Sequence, residues 1–111
     1  MSVPILSQVT DSSFESEVLR ATGPVIVGFW SPWSGAARLI SATVRELADR
    51  YRDQIKCVYL NVDEDPRVPS TYMVHTLPTL LLFVNGEVEA RLDGAQPKAV
   101  IESFFADRHD N

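Results

Sequence analysis

One stretch constrains the fold of this chain more than any other: Val25-Ile26-Val27-Gly28-Phe29-Trp30, six residues without a charge or a polar side chain that would mark a wet face. A strand with one solvated face alternates apolar and polar residues. A near-continuous apolar run of this length instead marks a strand covered on both faces, inside a sheet with helices above and below. Downstream, residues 34–52 carry Leu39, Ile40, Val44, Leu47, Ala48 and Tyr51 at helical spacing. Arg38, Arg45, Glu46, Asp49, Arg50 and Arg52 fall mostly on the wet side of that helix. Residues 55–62 read as a second buried strand, so the middle of the chain is strand, helix, strand.

The flanks extend this pattern. A short strand is expected over 5–9, followed by a helix that Ser12 and Glu15 open at capping-box spacing, with Phe14, Val18 and Leu19 on one face. Asp63-Glu64-Asp65-Pro66 forms a turn, and 68–72 a short helix. A strand over 79–84 meets one over 87–92 through the hairpin pair Asn85-Gly86. After Asp93-Gly94-Ala95, a last helix runs from about 97 to 107, with Val100, Ile101, Phe104 and Phe105 inward. The order βαβαβαββα joins a parallel half to an antiparallel hairpin. The fold class is α/β, a central mixed β-sheet with helices on both faces. Phe29, Trp30, Leu80, Leu82 and Phe83 are assigned to its core.

Composition narrows the function classes. The 111 residues suit one domain, and 15 acids against 10 bases leave a formal charge of −5. Neither a Lys/Arg excess nor a basic block is present, which argues against nucleic acid and anionic membrane as partners. The apolar runs are too short to span a bilayer. Met1-Ser2-Val3-Pro4-Ile5-Leu6 lacks the basic and apolar regions of a signal peptide, so a soluble intracellular protein is expected. Cys57 is the single cysteine, and one cysteine cannot form a disulfide, a four-cysteine zinc site or a dithiol pair within one chain.

Trp30-Ser31-Pro32-Trp33-Ser34-Gly35-Ala36-Ala37 resembles the active-site loop of the thioredoxin family, Trp-Ala-Pro-Trp-Cys-Gly-Pro-Cys. Leu60-Asn61-Val62-Asp63-Glu64-Asp65-Pro66 resembles the family's turn after the long helix and strand. Leu77-Pro78-Thr79-Leu80 resembles its cis-proline segment, with Phe83, Asn85-Gly86-Glu87 and Gly94-Ala95 following in register. The likeness runs from about residue 6 to 105 without a break in spacing, and is nearest to bacterial and chloroplast m-type members. It implies a thioredoxin fold, one domain over 1–111 and a cis peptide before Pro78.

The family's reaction needs a thiolate that attacks a substrate disulfide and a second thiol that resolves the mixed disulfide. A helix N-terminus lowers the first thiol's pKa. The matching positions here are Ser34 and Ala37, a hydroxyl that does not exchange with disulfides and a methyl group. The family's buried acid corresponds to Gly28, its lysine neighbour to Tyr59, the proline between the cysteines to Ala36 and the helix-kinking proline to Ala42. Engineered cysteine removal accounts for Ser34 and Ala37 but not for these four. The expectation is therefore a protein that is not an enzyme: no catalytic residue, no thiol–disulfide exchange and no cofactor.

What the resemblance retains is a shallow groove that docks an extended partner segment. Its matching residues are Trp33, Ser34, Gly35, Ala36, Thr76, Leu77, Pro78, Gly94 and Ala95. The expected partner is another protein or a peptide segment, bound by a monomer in the cytoplasm or, in a photosynthetic eukaryote, the plastid stroma. Asp93 stands where the family usually has an apolar residue, which points partner choice toward basic segments.

Other readings attach to single residues. Ser34 is an N-cap by position, or a hydroxyl that stabilises a glutathione-like thiolate as in glutathione transferases of the same fold. A Ser34–His75 hydrolase pair has no orienting acid at a recognisable spacing. Cys57 is a buried structural thiol, or a sensor that forms an intermolecular disulfide. Asp63-Glu64-Asp65 lacks the ligand count of a calcium site, and His75 and His109 have no metal-ligand partners at useful spacing, so no metal is expected.

Overall fold

A computed structural model describes residues 6–107. Its five strands are β1 (Ser7–Gln8), β2 (Val25–Trp30), β3 (Lys56–Asn61), β4 (Thr79–Val84) and β5 (Glu87–Asp93). They form one sheet in the order β1-β3-β2-β4-β5. The apolar run β2 is the central strand, as a strand with no wet face must be. It runs parallel to β3, with Val25 opposite Lys56 and Trp30 opposite Asn61. On its other side it is antiparallel to β4, with Ile26 opposite Leu82 and Phe29 opposite Thr79. A π-helical turn (Glu15–Leu19) and the helices α1 (Gly35–Arg50), α2 (Arg67–Thr71) and α3 (Lys98–Ala106) complete the order. No helix among the described residues is long and apolar enough to cross a membrane.

Successive strand residues face opposite ways, so the sheet divides the core in two. Val25, Val27 and Phe29 of β2, with Leu81 and Phe83 of β4, pack on Phe14, Val18 and Val68. Ile26 of β2, with Leu80 and Leu82, packs on Ile40, Val44 and Leu47 of α1 and on Ile101 and Phe105 of α3. Phe83 meets Phe14 and Tyr72 edge-on, with ring centroids 5.4 and 5.2 Å apart. Trp30 is half-buried rather than fully enclosed, whereas Phe29, Leu80, Leu82 and Phe83 are core.

Four local expectations need correction. The first strand shortens to two exposed residues, because this edge segment pairs only with β3 and turns away at Thr10; Ile5 lies outside the described residues. The capping box forms two residues earlier than expected. The Thr10 N–H donates to Ser13 Oγ at 2.9 Å while the Ser13 N–H donates to Thr10 Oγ1 at 3.1 Å. Glu15 instead pairs with Arg20 at 2.8 Å, and the segment closes through a wide Arg20 N–H to Glu15 C=O bond of 2.9 Å. Leu39 is 78% exposed, since it lies roughly 130° around α1 from the centre of the arc holding Ile40, Val44, Leu47 and Ala48. Val100 is 41% exposed for the same reason beside Ile101 and Phe105. The N-terminal residues 1–5 and the tail beyond Asp107, with His109, lie outside the described residues.

The hairpin Asn85-Gly86 has φ of 53° and 82°, the double left-handed conformation that fits the twist of paired strands. Glycine at 86 also avoids a collision, since a Cβ there would lie 2.9 Å from the Leu19 carbonyl oxygen.

Candidate docking groove

Strand register gathers three loops at one edge of the sheet. Phe29 lies opposite Thr79 and Thr79 opposite Asp93, so the loop after β2, the segment before β4 and the turn after β5 are neighbours. A buried hydroxyl fixes the first loop. Ser31 is 4% exposed and donates to the Asp63 carboxylate at 2.7 Å, while its oxygen accepts the Trp33 N–H at 3.2 Å. The Asp63 N–H in turn donates to the Asn61 side-chain oxygen at 2.9 Å. Held this way, the loop presents Trp33 with 87% of its surface exposed. Gly35 is exposed beside it, and Ser34 and Ala36 are half-buried.

Ser34 is the N-cap of α1, its oxygen accepting the Ala37 N–H at 3.0 Å. Among the described residues no hydrogen bond joins Ser34 to His75, which is exposed. Leu77–Pro78 is a cis peptide. The Pro78 carbonyl accepts the Gly94 N–H at 2.7 Å, which brings the Gly94-Ala95 turn against the proline; Gly94 there adopts φ 86°. The Thr79 hydroxyl donates to the Thr76 carbonyl and spans to Asp93 at 3.0 Å. Leu77, between Thr76 and Pro78, has no backbone hydrogen-bond partner among the described residues.

Asp93 does not offer the free carboxylate that a preference for basic segments requires. Arg91 Nε holds it at 3.0 and 3.2 Å, and the other Arg91 nitrogens donate to the carbonyls of Tyr72 and Met73. The acidic turn after β3 is likewise spoken for within the chain. Asp63 holds Ser31, Glu64 accepts from Gln8 at 3.2 Å and Asp65 accepts the Asp11 N–H at 2.9 Å. Among the described residues no three His, Cys, Asp or Glu side chains gather to hold a metal ion. Cys57 is 7% exposed inside β3, and burial pushes its thiol up to about 12.

Sequence reasoning missed one feature. Gly28, Ala37 and Tyr59, three of the positions where the chain departs from the family pattern, line a single cleft of about 500 Å³ beside α1, together with Trp30, Pro78 and Leu80. The signal was available: Gly28 and Ala37 stand where the family pattern has larger, functional side chains.

A mixed five-stranded sheet with β1-β3-β2 parallel, β4 and β5 antiparallel, and an N-capped helix after the central strand defines the thioredoxin class of α/β protein. The thioredoxin family model matches residues 5–107. Thioredoxin 1 of Synechococcus elongatus is 40% identical over 105 residues, covering 95% of this chain and 97% of that protein. The chloroplastic thioredoxin M2 of Arabidopsis thaliana is 45% identical over 95 residues, which are 86% of this chain and 51% of the relative, so the chain spans about half of that protein's length. The chloroplastic M-type thioredoxin of Chlamydomonas reinhardtii is 44% identical over 93 residues, 84% of this chain and 66% of the relative. This chain belongs to the thioredoxin family.

That membership corrects the expectation that the chain is not an enzyme. Its relatives are named as thioredoxins, which are thiol–disulfide oxidoreductases, and the family carries that enzyme class with it. What the residues themselves establish is narrower. Positions 34 and 37 hold a hydroxyl and a methyl group, and the sole cysteine is buried in β3.

Proposed function

We propose that this chain is a protein-binding module that takes up an extended segment of another protein in the groove between Trp33, the Leu77–Pro78 segment and the Gly94-Ala95 turn. The single observation that carries this reading is Trp33, a large aromatic left 87% exposed by a loop that buried hydrogen bonds hold in place. Tryptophan is among the residue types enriched at interface hot spots. Beside it, the unpaired Leu77 backbone offers one donor and one acceptor to a strand-like peptide. Ser34 and Ala37 leave the attachment noncovalent, because no intrachain pair of thiols lies in the groove. The net charge of −5 favours protein over nucleic acid or anionic lipid as the occupant. The module acts as a monomer, without a cofactor, in the cytoplasm or the plastid stroma.

The test is selection of binding peptides from a displayed random library, followed by titration of the selected peptide against the native chain and Trp33→Ala. The reading expects Trp33→Ala to weaken binding by about tenfold or more, the size of a hot-spot loss. Equal affinities for the two proteins overturn it.

A further inference from the structure

The cleft beside α1 has features that peptide docking at the loop edge does not use. Its floor is apolar, built from Gly28 and Leu80 of the sheet, Ile40 and Val44 of α1, and the Tyr59 ring. Gly28 leaves this floor open: a Cβ there would meet Leu80 Cδ2 at 3.4 Å, ordinary contact, with nothing nearer. The volume of about 500 Å³ lies within the range of small-molecule sites.

Several donors around it have no protein acceptor among the described residues, while the Ser41 hydroxyl, also in the lining, donates to the Arg38 carbonyl at 3.1 Å. Arg38 and Arg45 line the cleft seven residues apart on α1, which places them two turns apart on one side of the helix. Neither guanidinium has an ion pair or hydrogen bond among the described residues. The Arg67 guanidinium likewise has none among them, whereas Arg20, Arg50, Arg52, Lys56, Arg91 and Lys98 each hold a carboxylate. Trp30, also a lining residue, has a buried indole N–H with no acceptor. Buried donors are nearly always hydrogen-bonded, so each exception asks for an explanation. Two exposed arginines without carboxylate partners and a buried, unpartnered indole N–H beside an apolar hollow suit an anionic acceptor attached to an apolar body.

We propose that this cleft binds a small amphipathic carboxylate, its apolar body over Gly28, Leu80 and Val44 and its carboxylate held by Arg38 and Arg45. Arginine suits that head group because its planar fork matches a carboxylate with paired N–H donors. The site is separate from peptide docking at Trp33, although the two share Pro78 at their border.

The experiment titrates the full chain with 2-naphthoate and with its neutral analogue 2-naphthalenemethanol, following heat and backbone amide shifts. Naphthoate is expected to bind about tenfold or more tightly than the alcohol, with shifts at Gly28, Tyr59 and Leu80. The double variant Arg38→Gln/Arg45→Gln, changed only at exposed helix positions, should bring naphthoate down to the affinity of the alcohol and leave the alcohol unchanged. Gly28→Val should weaken both probes by filling the floor. Absence of naphthoate binding, equal affinity for both probes, or an unaffected double variant overturns the proposal. Shifts confined to residues around Trp33 and Gly94 overturn it as well.

Discussion

Ser34 shows how one residue can keep its place in a fold while changing its chemistry. Its oxygen accepts the Ala37 N–H at 3.0 Å, so it satisfies one of the helix's orphan donors. Ser34→Ala should lower stability by about 1 kcal/mol, seen as a lower urea midpoint at unchanged slope. An unchanged midpoint would show that the cap contributes nothing. Cys57 gives a second prediction at this scale. Burial raises its folded-state pKa to about 12, above the value it has in the unfolded chain. The folded state therefore holds its proton longer, and the stability linked to it is complete below about pH 9 and lost as pH rises toward about 12. The native chain should lose urea stability over that window more steeply than Cys57→Ala does. Parallel pH profiles would contradict the burial account. In the same way, a thiol reagent at pH 8 should leave Cys57 unmodified until the chain is unfolded.

At the scale of elements, α2 depends on a residue far away in sequence. This five-residue helix has no side-chain cap of its own. Asp11 supplies one, accepting the Arg67 and Val68 N–H groups at 3.0 and 2.9 Å, while its own N–H is held by Asp65. Asp11→Ala should cost about 1–2 kcal/mol and speed hydrogen exchange at the first amides of α2. Exchange unchanged there would contradict the cap. Elements such as β2, β4 and α1 were legible in the sequence because their signals are local: an apolar run, a hairpin pair, a helical stripe. The Asp11 cap was not, because nothing in residues 10–13 points to a partner more than fifty positions on. The capping box lies two residues before the expected Ser12–Glu15 pair because Thr10 and Ser12 have similar local merit as caps, and the reciprocal bonds form between Thr10 and Ser13, ahead of the buried Phe14 and Val18. Leu39 and Val100 were misassigned because a hydrophobic residue next to a buried one was given the same face, though each helix step turns about 100°.

For the whole molecule, the groove was legible as a set of residues but not as an arrangement. Trp33, Pro78 and Gly94 could be named from motifs; that they meet follows from β2, β4 and β5 being adjacent with Phe29, Thr79 and Asp93 in register. The neutralised Asp93 and the cleft beside α1 required coordinates, since both depend on which side chains find partners. The Ser31–Asp63 bond couples the loop edge to the turn after β3, and Ser31→Ala should loosen Trp33 and weaken peptide binding severalfold with little change in secondary structure.

The most direct measurement of the central claim is amide chemical-shift mapping of the native chain with a bound extended peptide. The groove account predicts the largest changes at Trp33, Leu77 and Gly94, with slowed exchange of the Leu77 N–H as it pairs with the peptide. Binding that leaves those three amides unmoved and shifts residues of β1 or of the Asn85-Gly86 hairpin would contradict it.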